Sequence, residues 1–138
     1  MRTEFSCGAL LYCIENQQII FLLLHYLSGH WDFPKGNKER GENYIETIRR
    51  EIKEETGISD LNFIDGFVKE ISYKYLRHNQ LISKKVVYFL ARTNSKDVIL
   101  SSEHTDFVWD HYESALKRLT YKKSKEILTE GYKFLKKL

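Results

Sequence analysis

The chain has 138 residues and a formal net charge of +3, from 22 Lys and Arg against 19 Asp and Glu. This length allows one domain with a sizeable core, expected to span 1–138, and one proline without a Ser- or Gly-rich run leaves no room for a linker. The charge fits an anionic substrate without demanding nucleic acid, and the longest apolar run, 19–24, is too short to cross a bilayer.

Residues 5–12 read as a strand containing small residues, and Glu15-Asn16-Gln17 as a turn. The nearly continuous apolar run 19–26 suits a strand buried on both faces. Residues 31–34 lead into a stretch rich in glycine and acids. A strand is expected over 63–75, broken near Asp65-Gly66, then a polar loop over 77–83. Strands over 84–91 and 107–109 follow, then helices over 112–119 and 122–137. In the last helix Ile127, Leu128, Gly131, Phe134, Leu135 and Leu138 form an apolar stripe. Strands followed by packed helices point to an α/β or α+β sandwich.

The most informative segment is the helix expected over 44–56. Gly41 permits a turn before it, Asn43 stands at the N-cap, and Glu46 occupies the capping-box position. Ile45, Ile48 and Ile52, continued by Thr56, make a stripe that faces a core, and Gly57 sits where a left-handed residue would end the helix. Glu51, Glu54 and Glu55 fall at i, i+3 and i+4, so all three project from one side. Like charges this close repel, and a hard divalent cation with oxygen ligands would offset that repulsion. A solvated acidic face screened by Arg49, Arg50 and Lys53 explains the glutamates alone equally well.

Gly36, Glu42, Arg50, Glu51, Ile52, Glu54, Glu55, Gly57 and Ile58 fill every fixed position of the pattern G-x5-E-x7-R-E-U-x-E-E-x-G-U, with U a bulky aliphatic residue. The segment resembles the Nudix box. The resemblance implies a Nudix hydrolase: an α/β/α sandwich around a mixed sheet that uses Mg²⁺ or Mn²⁺ to cleave a nucleoside diphosphate linked to another moiety. It further implies Gly36 (through its carbonyl), Glu51, Glu54 and Glu55 as metal ligands; Glu103, outside the box, joins them through similarity elsewhere in the chain. Glu54 and Glu103 are expected in catalysis, with Glu103 a ligand or the general base. Arg50 is expected to orient a glutamate, with Glu42 as a partner.

The order and spacing of further segments are similar to the asymmetric diadenosine tetraphosphate hydrolases. These include His30-Trp31-Asp32-Phe33-Pro34-Lys35-Gly36, Asp65-Gly66-Phe67, the stretch 84–90 with Tyr88, Ser101-Ser102-Glu103-His104, and Glu130 to Leu135. In that family water attacks the fourth phosphate and releases ATP and AMP. The similarity implies phosphate contacts from Lys35 and Lys84, with His30 on the phosphate side. Adenine needs flat aromatic surfaces, for which Tyr73, Tyr88, Tyr132 and Phe134 are the candidates. Asp32-Phe33 departs from the proline or threonine frequent in that family.

The expected partner is a dinucleoside polyphosphate. The alternatives are an RNA 5′-pyrophosphohydrolase, which alone would bring in nucleic acid, or a hydrolase of nucleoside triphosphates or sugar nucleotides. A non-catalytic nucleotide-binding module would lack one of the box glutamates, and all are present. The N-terminus carries no signal-peptide pattern, and Cys7 and Cys13 lack CxxC spacing. A cytoplasmic protein with buried, reduced thiols is therefore expected.

Overall fold

The computed structural model describes residues 2–138. Strand β1 (Arg2–Glu15) is the hub of a seven-stranded sheet. One edge of its first half pairs antiparallel with β4 (Lys35–Asn37), and its last residues pair with β2 (Gln18–Tyr26). Its other edge runs parallel to β6 (Gln80–Arg92), which pairs antiparallel with β5 (Asn62–Arg77). Strand β2 also pairs with β3 (Trp31–Asp32) and with β7 (His104–His111). The sheet is therefore mixed.

Helix α1 (Tyr44–Thr56) covers one face, and α2 (Tyr112–Arg118) and α3 (Lys122–Lys136) belong to the other. Both faces being covered explains why β1 is apolar on both sides. Cys7, Ala9 and Leu11 pack with Ile48 and Ile52 of α1. Leu10 and Tyr12 point the opposite way, to Leu119, Ile127 and Leu128. Ile48 and Ile52 are 1% exposed, and each stabilises the fold by roughly 1.5–3 kcal/mol through burial.

The ends of α1 follow from its sequence. The Asn43 side chain accepts from the Glu46 amide at 2.8 Å, and the Glu46 carboxylate accepts from the Asn43 amide at 2.9 Å. Gly57 takes φ +79° and donates its amide to the Lys53 carbonyl at 2.9 Å. The break expected at Asp65-Gly66 appears as a register shift in β5 between Phe63 and Val68.

The polar loop expected over 77–83 is instead a tight hairpin. Only His78 and Asn79 form the turn, at φ +50° and +62°, and the strands pair up to Arg77↔Gln80. The same two-residue geometry at Asn16 and Gln17 joins β1 to β2. Residues 77–80 are exposed, which suits their polar character, and Ile82 just beyond them is buried. Among the described residues no helix is long and apolar enough to cross a membrane. Cys7 and Cys13 are buried and unbridged.

Candidate active site

Where β4 passes into α1, a cavity of about 470 Å³ opens among Lys35, Gly36, Glu51, Glu54, Glu55, Lys84 and Glu103. Gly36 is required there by close approach: a Cβ on it would stand 2.0 Å from Cδ of Glu51. The three helix glutamates share the cavity but not an environment. The Glu55 side chain is 4% exposed, that of Glu51 15% and that of Glu54 59%. Glu103 arrives from the loop before β7. That loop is tied to the end of α1 by the Ile99 amide on the Thr56 carbonyl at 2.9 Å and the Ser101 amide on the Glu55 carbonyl at 3.3 Å.

Arg50 organises the rim. It donates to both Glu42 carboxylate oxygens at 2.7 and 3.0 Å, to Glu51 Oε1 at 2.7 Å and to the Asn37 carbonyl at 3.0 Å. Its bond, with one from the Glu39 backbone, holds the Glu42 carboxyl at about 2. Burial pushes Glu55 up to about 9, reinforced by the charges of Glu51 and Glu103. Burial also raises Glu51, against the pull of Arg50. Glu55 Oε1 and His104 Nε2 are buried without a hydrogen-bond partner.

Among the described residues no three acidic, histidine or cysteine side chains converge closely enough to hold a metal ion as they stand. The carboxylates instead surround the cavity. Their donors are all oxygen, the set that a hard divalent cation takes. The orphaned Glu55 oxygen and the mutual repulsion of four acids fit such an ion.

A second pocket of about 440 Å³ adjoins the first, walled by Ile71, Tyr73, Tyr75 and Tyr121 and closed by Asp32, Ser124 and Lys35. Lys35 lines both cavities. Its ammonium is fixed by Asp32 Oδ2 at 3.0 Å, while Asp32 Oδ1 accepts from the Ser124 hydroxyl at 3.0 Å and the Phe33 amide at 2.9 Å. Burial is the largest influence on the Lys35 ammonium and lowers it, but the charge and hydrogen bond of Asp32, with Tyr73 and Tyr121, together outweigh it and the net shift is upward. Lys84 is lowered by burial and by the charge of Lys35. Tyr75 donates to Glu4 Oε1 at 2.6 Å, which fixes the outer edge of the pocket.

The model of the NUDIX domain matches residues 6–131. The chain belongs to the Nudix family. It is 37% identical over 142 aligned residues to the bis(5′-nucleosyl)-tetraphosphatase (asymmetrical) of Mus musculus, covering 94% of each chain. An RNA pyrophosphohydrolase of Helicobacter pylori is 28% identical over 102 residues, covering 67% of this chain and 66% of that one. The crystal structure of a C. elegans Ap4A hydrolase binary complex superposes with a TM-score of 0.87 at 30% identity, covering 98% of this chain and 99% of that one.

Around the Nudix helix the expected residues separate into two groups. Gly36, Lys35, Lys84, Glu51, Glu54, Glu55 and Glu103 share the carboxylate cavity, and Tyr73 lines the aromatic pocket. His30 lines neither cavity. It stacks on Tyr26 at 4.6 Å and faces Tyr121 at 5.3 Å.

Three aromatic expectations are corrected. Tyr88 is 0% exposed and edge-on to Phe33, so it has no free face for a base. Tyr132 stacks on Tyr112 at 4.2 Å beside the β1–β2 turn, at the far end of the sheet. Phe134 packs on Phe67 and over Gly66. Their rings serve the core beneath α3. Tyr26 lines the carboxylate cavity, and Asp32, Tyr75 and Tyr121 the aromatic pocket, without any role expected of them from the sequence. Tyr75 was legible as the same-face neighbour of Tyr73 two residues on. Nothing local marks Tyr121, which reaches the pocket from the junction of α2 and α3.

Proposed function

We propose that the protein is an asymmetrical dinucleoside tetraphosphatase that converts diadenosine tetraphosphate to ATP and AMP, as one Nudix domain over 1–138. The observation that carries this is the position of Lys35, the one residue among those described that lines both the carboxylate cavity and the aromatic pocket. A substrate with a base in one and a scissile phosphate in the other must lay its phosphates across that ammonium.

The adenine of the ATP half enters between Tyr73 and Tyr121, where stacking on aromatic rings contributes roughly 1–3 kcal/mol per base. Lys35 and Lys84 hold the phosphates between, and His30 closes the approach beside Tyr121. The fourth phosphate then lies among Glu51, Glu54, Glu55 and Glu103. These carboxylates, with the Gly36 carbonyl, would hold Mg²⁺ or Mn²⁺, which neutralises phosphate oxygens and acidifies water. Glu103, on a loop facing Glu55, takes the proton of the attacking water, with Glu54 as the other carboxylate open to solvent. The water oxygen bonds to the fourth phosphorus, the bridge to the third phosphate breaks, and ATP departs with the bridging oxygen. Arg50 keeps Glu51 aimed at the cavity. We place the protein in the cytoplasm, consistent with two buried free thiols.

Product analysis tests this. Protein with Mg²⁺ is incubated with diadenosine tetraphosphate, 5′-triphosphorylated RNA or nucleotide sugars. ATP and AMP from the first, well ahead of the others, is expected. Pyrophosphate release from RNA at an equal or higher rate would overturn the assignment in favour of an RNA 5′-pyrophosphohydrolase.

A further inference from the structure

A third cavity, of about 530 Å³, adjoins the carboxylate cavity on the side of β1 and the 37–40 loop. The two share Asn37 and Glu39 as a common ridge. Its walls include two aromatic rings left in solvent: Phe5 is 48% exposed and Tyr44 37%. Three cations stand around them, Arg2, Lys38 and Arg40. Among the described residues none of the three has a carboxylate ion-pair partner. The two acids of the same cavity are compensated, Glu4 by Arg77 at 2.9 Å and Glu39 by Arg50 at 3.5 Å. The cavity thus offers apolar ring faces beneath an uncompensated positive rim.

The dividing ridge is held in place before any ligand arrives. The Ser6 hydroxyl donates to Asn37 Oδ1 at 2.7 Å, and the Lys38 amide donates to the Phe5 carbonyl at 3.1 Å. Arg50 holds the Asn37 carbonyl, and the Glu39 amide donates to Glu42 Oε1 at 2.9 Å. The same arginine that aims Glu51 therefore also fixes the wall of the neighbouring cavity. Pre-organisation of this kind lowers the ordering that a ligand would otherwise impose.

From this arrangement, which rests on the dinucleotide assignment above, we infer that the Phe5–Tyr44 cavity is the subsite for the second nucleoside, the one released as AMP. The substrate then runs in one line: first base in the tyrosine pocket, phosphates over Lys35, scissile phosphate among the carboxylates, second base against Phe5 and Tyr44. Arg2, Lys38 and Arg40 face the phosphate-bearing side of that nucleoside. A ligand with only one base fills the tyrosine pocket and leaves the third cavity free.

That difference supplies the test. Phe5→Ser and Tyr44→Ser are compared with Phe5→Tyr and Tyr44→Phe, using steady-state hydrolysis of diadenosine tetraphosphate and inhibition of it by ATP, which carries a single base. Both rings are partly exposed, and unchanged thermal unfolding checks that each variant is folded. The serine variants are expected to raise KM about tenfold, as loss of one base stack would, with kcat and the ATP inhibition constant within about twofold of wild type. The aromatic replacements should restore KM. An unchanged KM in the serine variants, or an ATP inhibition constant that rises in parallel, would overturn the subsite. Failure of the wild-type protein to make ATP and AMP would instead remove the assignment beneath it.

Discussion

Replacing Asp32 by Asn probes the ion pair that holds Lys35 between the two cavities. Asp32 is 1% exposed and the Lys35 side chain 14%, with 3.0 Å between Oδ2 and Nζ. Asparagine can still accept from the Phe33 amide and the Ser124 hydroxyl through Oδ1, so the change keeps those two bonds but removes the charge and replaces the acceptor facing Lys35 by an amide N–H donor. It leaves an ammonium desolvated and unpaired, a loss of roughly 3–5 kcal/mol when one partner of a buried pair is removed. Water reaches Lys35 through its residual exposure, which favours the lower figure, about 3 kcal/mol. At about 2.1 cal/mol/K per residue, a chain of this length has an unfolding entropy near 0.3 kcal/mol/K, so Tm should fall by about 10 °C. Scanning calorimetry and urea titration measure both quantities. Adding Lys35→Met to Asp32→Asn removes the stranded charge and should recover most of the loss, giving a coupling of about 2 kcal/mol or more in the double-mutant cycle. A single variant within about 0.5 kcal/mol of wild type, or a coupling near zero, would show Lys35 to be solvated and free, and the reasoning would fail.

Glu55→Gln should abolish turnover while raising Tm of the cation-free protein at pH 8. Its carboxyl is raised to about 9 in the fold, so native stability falls as pH rises from the unfolded value toward that figure, a penalty that a neutral amide escapes. A wild-type-like activity or a lower Tm would count against it. Gly36→Ala would place a Cβ 2.0 Å from Glu51 Cδ, and a displacement of about 1 Å in that carboxylate should reduce kcat/KM by about 10²-fold with the fold intact; kinetics beside circular dichroism decides. Hydrogen bonds led by Ser95, with the Asn94 amide and Thr93, hold Asp60 below the usual range. Its contribution is therefore present at neutral pH and lost as pH falls through the depressed value. Asp60→Asn should give a shallower acid limb in a stability profile below about pH 4.

Local signals reported α1 faithfully, because its caps, its isoleucine stripe and its terminal glycine each act within a few residues. The break at Gly66 was legible for the same reason. The hairpin at 77–83 was not, since His78-Asn79 lacks the glycine that usually announces such a turn and the strands around it are polar. Among the site residues, the carboxylates were legible from spacing and Glu103 only from resemblance, because its place depends on loop-to-helix bonds across Thr56 and Glu55. The aromatics were harder still. Tyr88 and Tyr121 are chemically the same side chain, and only the packing of α3 decides which is enclosed and which walls a pocket.

The parallel pairing of β1 with β6 has a consequence for how the chain acquires its shape. Arg2 meets Ile82 and Tyr12 meets Arg92, partners eighty positions apart in sequence. Strand β1 thus has its longest edge open until β6, some eighty residues later, has been synthesised, roughly 4–16 s at ordinary elongation rates. Until then its unpaired backbone and the apolar run that follows are exposed to other nascent chains. Cooperative assembly must wait on long-range closure, which places folding among the slower α/β domains and makes the interval before β6 emerges the one in which a chaperone would matter most.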